Sequence, residues 1–121
     1  MSIPRAPAGA GPSGRRLWRE IQADYELSEH ETALLTALVR QVDRLDKLEE
    51  LIAAEGLTVD ASHGVKMHPA VPEARASAIA IARISAALRL PAGETGDDAR
   101  PAASQRRTGV RGIYSIRGGA G

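Results

Sequence analysis

Residues 28–55 read SEHETALLTALVRQVDRLDKLEELIAAE and carry the strongest helix pattern in this 121-residue chain. Ser28 and Glu31 have the spacing of a capping box, in which each side chain hydrogen-bonds the backbone amide of the other residue. Apolar residues then recur at intervals of three and four, which places them on one stripe of a helix. They are Leu34, Leu35, Leu38, Val42, Leu45, Leu48, Leu51 and Ile52. With Gly56 as a stop signal, the sequence predicts one long helix over residues 28–55.

A helix of about 28 residues is a rod of roughly 40 Å, and the mean helix has only about 11–12 residues. The rest of a small chain cannot cover the whole apolar stripe of such a rod. Association with further copies is an ordinary remedy for a thin core. We therefore expect Leu38, Val42 and Leu45 to lie partly between the subunits of a homo-oligomer.

Composition excludes several classes of site. The chain has no cysteine, which removes disulfides, cysteine nucleophiles and thiolate metal sites. Aromatic residues make up only 2% of the chain and hydrophobic residues 43%, so the core must be largely aliphatic. No apolar run approaches the roughly 20 residues of a membrane span, and the N-terminus lacks the apolar segment of a signal peptide. We expect an intracellular protein without a membrane partner.

The formal net charge of +1 hides a segregation of charge along the chain. Between Ser28 and Glu55 seven acidic residues outnumber three basic ones, whereas the first nineteen and the last twenty-three residues contain arginines and no acid. Basic ends on a near-neutral body suggest a polyanion partner, with nucleic acid as the first candidate. The competing interpretation is that these arginines only keep the ends in solution. The arginines that we expect to contact DNA phosphates are Arg15, Arg16, Arg19, Arg106, Arg107 and Arg111.

The N-terminal part of the chain predicts an arm followed by a short helix. Residues 1–13 are rich in proline, glycine and alanine and offer little to bury, which is typical of a disordered arm. From residue 14 onward, Leu17, Trp18, Ile21 and Tyr25 fall on one side of a helix. We interpret Trp18 as a core residue that docks this helix onto the long one, because apolar neighbours surround it at core spacing.

The link between these two helices is so short that they must lie together, as in an αα-hairpin or a helix-turn-helix. A recognition helix normally presents polar and basic side chains in its first turns. The long helix instead begins with Glu29 and Glu31, whose carboxylates would repel phosphate. The pattern therefore argues against simple major-groove reading by the long helix.

Residues 57–67 predict a small β-hairpin or an extended turn, because strand-forming residues flank turn-forming residues at 60–64. His63 and His68 border the returning segment. Since no third ligand lies nearby, we interpret them as surface turn histidines rather than metal ligands. An alanine-rich third helix follows, with Pro69 or Pro72 in its first turn, where proline is well suited. Its body runs from Glu73 to Leu88 or Leu90, and Pro91 ends it.

Residues 92–121 predict a flexible basic tail without core-forming periodicity. Three bulky apolar residues are unusual in such a tail, namely Ile113, Tyr114 and Ile116. One interpretation is a short adhesive remnant, and the other is a linear docking motif at 110–117 that orders on a partner. The predicted fold is thus mainly α, with a helical oligomerisation and DNA-binding core over 14–91 between two disordered tails.

The residues that usually carry catalysis do not form a catalytic pattern here. The chain has no Walker-type phosphate loop and no nucleophile elbow around a serine. Acids and bases alternate on the long helix, which is typical of a solvated or inter-subunit ion-pair face. These residues are Arg40, Asp43, Arg44, Asp46, Lys47, Glu49 and Glu50. We therefore expect no enzyme activity, no metal, no cofactor and no small-molecule substrate.

In the order and spacing of its motifs, the chain resembles the small subunit of tailed-phage terminases, of the type found in phages and prophages of high-GC bacteria. The resemblance spans about residues 13–91. Its carriers are Ser13-Gly-Arg-Arg-Leu-Trp-Arg-Glu20, Asp24-Tyr-Glu-Leu27, Glu29-His-Glu31, Asp43-Arg-Leu-Asp-Lys-Leu-Glu49, Glu55-Gly-Leu-Thr-Val59, His68-Pro-Ala-Val71 and Ala82-Arg-Ile-Ser-Ala-Ala-Leu-Arg-Leu-Pro91.

This resemblance implies a non-enzymatic DNA-packaging factor of the bacterial host cytoplasm. Such a protein assembles into a ring, binds the packaging site on double-stranded viral DNA, and presents it to the large terminase subunit, which carries the ATPase and nuclease. In that setting the segment 110–117 is expected to dock on the large subunit. The alternative is a small helical DNA-binding regulator or adaptor unrelated to packaging.

Overall fold

The computed structural model describes residues 3–90 and the backbone of residues 106–107. Within this part the fold is mainly helical with one small antiparallel hairpin, as the sequence predicts. The helices are α1 (Pro12–Asp24), α2 (Glu29–Glu55) and α3 (Ala70–Leu88), and the strands are β1 (Tyr25–Glu26), β2 (Thr58–Ala61), β3 (Gly64–Met67) and β4 (Arg106–Arg107).

The long helix α2 begins and ends as its sequence predicts. The Ser28 amide donates to Glu31 Oε1 at 2.7 Å, and the Glu31 amide donates to Ser28 Oγ at 3.3 Å. This reciprocal pair is a capping box, and it satisfies backbone donors that the helix itself leaves without partners. Gly56 follows the last residue of the helix with a φ of 90°, a conformation that favours glycine.

The core lies against the N-terminal half of α2. Leu35, Leu38 and Val39 of this half are almost fully buried. Helix α1 supplies Trp18 and Ile21 to the core, β1 supplies Tyr25, and α3 supplies Leu88. Trp18 is therefore the core residue that the sequence predicts. Beyond Val42 the apolar stripe of α2 is only partly covered, and Leu51 is exposed.

The hairpin of β2 and β3 projects from the helical body. Its register pairs Thr58 with Met67 and Ala61 with Gly64, and Gly64 adopts a φ of 116° at the turn. Val59 is half-buried, and every other residue of the two strands is exposed. An isolated two-stranded hairpin is marginally stable at best in water. This hairpin thus gains little from packing within its own chain.

His68 differs from its prediction as a surface turn residue. It is buried, with only 5% of its surface exposed, whereas His63 lies exposed in the hairpin turn. Its Nδ1 accepts a hydrogen bond from the Ala70 amide at 2.9 Å, and its Nε2 lies 2.7 Å from Glu55 Oε1. The reason is that α3 needs an acceptor for its first amides, and Pro69 at the cap position provides no side-chain cap. The His68 ring fills that role and connects α3 to the end of α2.

Candidate nucleic-acid interface

The N-terminal arm lies on the helical body in this structure. Trp18 Nε1 donates to the carbonyl oxygen of Pro4 at 2.8 Å, and Ala6 packs against the core. The sequence predicts disorder over residues 1–13 because composition offers little to bury. The described part of that arm, residues 3–11, nevertheless has defined contacts. The buried indole is the physical reason, since a buried Trp N–H requires an acceptor and the arm supplies one.

The carboxylate of Asp43 caps α1 from the neighbouring helix. Its Oδ2 accepts from the Gly11 amide at 2.7 Å, and its Oδ1 accepts from the Gly14 amide at 2.8 Å. Gly11, the N-cap residue, has no side chain with which to do this. A negative charge at this position also interacts favourably with the helix dipole. Asp43 therefore connects α1 to α2, a role beyond its predicted place in a charged helix face.

Gly14 is required by this contact. A Cβ atom at Gly14 would lie 2.2 Å from Asp43 Oδ2, far inside van der Waals contact. The glycine thus allows the carboxylate to approach the first turn of α1 closely. This accounts for the glycine that precedes the two arginines Arg15 and Arg16.

The three predicted DNA-contacting arginines of α1 are all exposed, namely Arg15, Arg16 and Arg19. Arg15 Nη1 donates to the Ala10 carbonyl oxygen, and Arg16 Nη2 lies 3.4 Å from Ser13 Oγ. The two salt bridges found in the described residues involve neither these arginines nor any other residue of α1. Within the part of the chain that the structure describes, the α1 arginines therefore present positive charge to solvent without a carboxylate salt bridge.

The backbone of part of the second predicted arginine group pairs with the strand that follows α1. The backbone of β4 pairs antiparallel with β1, so that Arg107 is opposite Tyr25 and Arg106 is opposite Glu26. Because β1 follows α1 directly, this pairing joins β4 to the strand at the C-terminal end of α1. Sequence patterns do not reveal such a pairing because each strand has only two residues and the strands are far apart in the chain. Arg111 lies outside the described residues.

The acidic start of α2 is less exposed than the sequence suggests. Glu31 is buried, with 2% of its surface exposed, and its carboxylate serves the capping box. Glu29 remains exposed. The argument that this helix start repels phosphate therefore depends on Glu29 alone.

The predicted oligomerisation residues have different surroundings. Leu38 lies in the core of its own chain, with 3% of its surface exposed. Val42 is half-buried against that core, and Leu45 is half-buried outside it. Only Val42 and Leu45 therefore keep surface that a second subunit could cover. The docking residues Ile113, Tyr114 and Ile116 lie outside the described residues.

Other classes of site receive no support within the part of the chain that the structure describes. No group of three or more His, Cys, Asp or Glu residues there could hold a metal ion. No helix among the same residues is long and apolar enough to cross a membrane.

Comparison with known proteins identifies the family. The family model described as "Phage terminase, small subunit" matches residues 15–94, which is more than half of the chain. No curated protein and no solved structure matches the chain. Terminase small subunits are in general non-catalytic DNA-packaging factors. On the strength of this match, which begins at the α1 arginines and extends beyond α3, the chain belongs to the family of phage terminase small subunits.

Proposed function

We propose that this chain is a non-catalytic packaging factor that binds double-stranded viral DNA as a homo-oligomeric ring. In the bacterial host cytoplasm it brings that DNA to the large terminase subunit. Family membership supports a role in packaging. The observation that carries the more specific proposal is the row of exposed arginines on α1, with the backbone of Arg106 and Arg107 paired to the strand that follows this helix.

These arginines bind DNA mainly through its phosphates. Phosphate contacts give affinity that falls steeply with salt and carry no sequence information directly. The few arginines of one chain bind weakly, but a ring repeats them and raises the total affinity. Preference for a packaging site then arises from DNA shape, or from several subunits that engage the DNA at once.

Assembly into a ring is supported by the apolar surface that one chain leaves uncovered. The large hydrophobic side chains exposed on and around the hairpin and the C-terminal half of α2 include Leu51, Leu57, Val65 and Met67. Exposed apolar side chains that form a contiguous patch mark a site of protein contact. It lies beyond the end of the intramolecular core, where the long rod of α2 is expected to need a partner.

A salt titration of DNA binding tests the function. We compare the wild type with two triple alanine variants, one at Arg15, Arg16 and Arg19 and the other at Arg106, Arg107 and Arg111. The slope of log K against log salt should become shallower by about 0.9 for each phosphate that is no longer neutralised. A third variant replaces Lys66, Arg75 and Arg83, which are exposed elsewhere, and provides the control for the removal of three charges.

The results separate the candidate functions. Slopes that remain unchanged in both arginine variants would exclude these residues as the electrostatic contact with DNA. Native mass spectrometry of the same samples distinguishes packaging from regulation, because the regulator alternative predicts a stable dimer and packaging predicts a ring of many subunits.

A further inference from the structure

We propose that Arg5, Arg15 and Arg19 together hold one phosphate group of the DNA backbone in a groove between the N-terminal arm and α1. This site rests on the proposed DNA-binding function and adds Arg5 to it. The three arginines line the same groove, which has a volume of about 410 Å³. Among the described residues that line it, none is acidic.

The groove brings positive charge together from two segments of the chain. Arg15 and Arg19 are one turn apart on α1 and therefore lie on the same face of the helix. Arg5 approaches from the arm. The acids of α1, Glu20 and Asp24, do not line the groove. Three guanidinium groups around one depression repel each other, so a bound anion would stabilise the arrangement.

Two hydrogen bonds hold the arm in place beside these arginines. The bond from the buried Trp18 indole to the Pro4 carbonyl fixes the backbone directly before Arg5. Arg15 Nη1 donates to the Ala10 carbonyl near the other end of the arm. Because the arm is already positioned in the free protein, the binding of a ligand there costs less conformational entropy.

The chemistry of the groove fits a phosphate diester. Guanidinium groups form paired hydrogen bonds with phosphate oxygens, and arginine is preferred wherever such planar recognition matters. All three arginines are exposed, so the groove is open to a long polymer. Arg16 is also exposed, one residue along α1, and offers a contact for an adjacent phosphate. An acidic protein segment is the competing occupant.

The test measures the affinity of the full chain for duplex DNA across a salt series. Arg5→Ala should weaken binding roughly tenfold. Its salt slope should fall by less than the value of about 0.9 that a whole phosphate contributes, because Arg15 and Arg19 still contact the same phosphate. Arg5→Lys should keep the slope and recover only part of the affinity, because lysine retains the charge but not the planar fork. Arg75→Ala, which removes one exposed arginine from α3, serves as the matched control and should change the affinity little.

A variant that leaves every charge in place tests the positioning of the arm. Trp18→Phe removes the indole N–H that holds Pro4 but keeps an aromatic ring in the core. It should weaken DNA binding several-fold with an unchanged salt slope, because the arm must then be ordered during binding. Circular dichroism of the same variant should show intact helices, which distinguishes a failure of positioning from a failure of the fold.

Three results would overturn the proposal. If Arg5→Ala behaves like Arg75→Ala, the groove does not hold phosphate, although the DNA-binding function stands. If Arg5→Ala alters the oligomer, or weakens association with the large subunit instead of DNA, the groove binds protein. If the wild type does not bind DNA, the proposed function fails and the groove fails with it.

Discussion

Asp43 of α2 contacts Gly14 of α1. The sequence pattern of neither helix predicts this contact. Asp43 accepts two amides at the start of α1. Asp43→Ala should therefore lower the free energy of unfolding by about 1–2 kcal/mol, the usual cost of removing an N-cap acceptor. Asp43→Asn should cost less, since it keeps one oxygen acceptor. Urea unfolding followed by circular dichroism measures both changes.

Asp46→Ala provides the control, because Asp46 is exposed on the same helix and such surface changes usually stay within about 0.5 kcal/mol. Equal unfolding midpoints for Asp43→Ala and Asp46→Ala would contradict the capping role. Gly14→Ala adds a second check, because its effect on the free energy of unfolding should have opposite signs in the wild type and in the Asp43→Ala variant. It should destabilise the wild type through overlap with Asp43, yet stabilise the Asp43→Ala variant by up to about 1 kcal/mol, because alanine favours a helix over glycine.

The helix caps show which contacts the sequence can predict and which it cannot. The capping box of Ser28 and Glu31 is local, so spacing alone identifies it. Asp43 and His68 also cap helices, but each caps one that begins elsewhere in the chain or after a proline. The partners of Asp43 are close to it only after α1 and α2 have packed. The His68 cap joins residues only two apart, but it fits no standard capping pattern because Pro69 occupies the cap position. His68 consequently has the sequence pattern of a surface residue, although it is buried.

At the scale of elements, periodicity and turn chemistry predicted α2, the hairpin and α3 together with the packing of Trp18. Neither periodicity nor turn chemistry predicted the position of the arm or the pairing of β1 with β4. The arm has no apolar period, and its position depends on contacts of its backbone with Trp18, Arg15 and Asp43. Strands of two residues are too short to show a recognisable alternation of apolar and polar residues. The arm contacts α1, and β4 pairs with the strand that follows α1. The part of the candidate interface that the sequence did not predict is therefore the part made by long-range contacts.

The tail segment 110–117 is tested best without shortening the chain, because the backbone of Arg106 and Arg107 pairs with β1. Replacing Ile113, Tyr114 and Ile116 with serine removes the apolar residues and keeps every arginine. This variant should weaken association with the large terminase subunit roughly tenfold or more, because many tails on a ring act together. Its DNA affinity should not change.

The reciprocal control is the alanine variant at Arg106, Arg107 and Arg111, which should weaken DNA binding first. Co-purification and stimulation of the large subunit's ATPase provide the measurements. If the serine variant stimulates the ATPase as well as the wild type does, the tail does not dock there. If it weakens DNA binding instead, the tail is part of the DNA interface.

At the scale of the whole molecule, the two halves of α2 have different surroundings. The N-terminal half forms the core with α1 and α3, and the arginines of α1 are exposed. The C-terminal half and the hairpin expose apolar side chains. In a ring, subunit contacts through the exposed apolar end would leave α1 free for DNA. The two proposed activities therefore use different parts of one small chain.

Substitutions outside the core can separate assembly from folding. Leu45 is half-buried and lies outside the core cluster, whereas Val42 packs against it. Leu45→Glu should therefore reduce the oligomer to smaller species with a smaller decrease in helicity than Val42→Glu. A second variant, Val65→Glu with Met67→Glu, changes hairpin residues that are 67% and 51% exposed. Its helical content should remain that of the wild type while the ring dissociates.

Lys66→Glu is the matched control, because Lys66 lies between these two hairpin residues and points to the opposite face of the strand. It introduces a comparable change of charge and should leave the ring intact. Sedimentation at micromolar concentration gives the mass of each species, and circular dichroism gives its helicity. A monomeric wild type would end the proposal of a ring. A ring that survives both Leu45→Glu and the hairpin variant would show that its subunits meet on another surface. The apolar side chains of the hairpin and of the C-terminal half of α2 would then need a different partner to cover them.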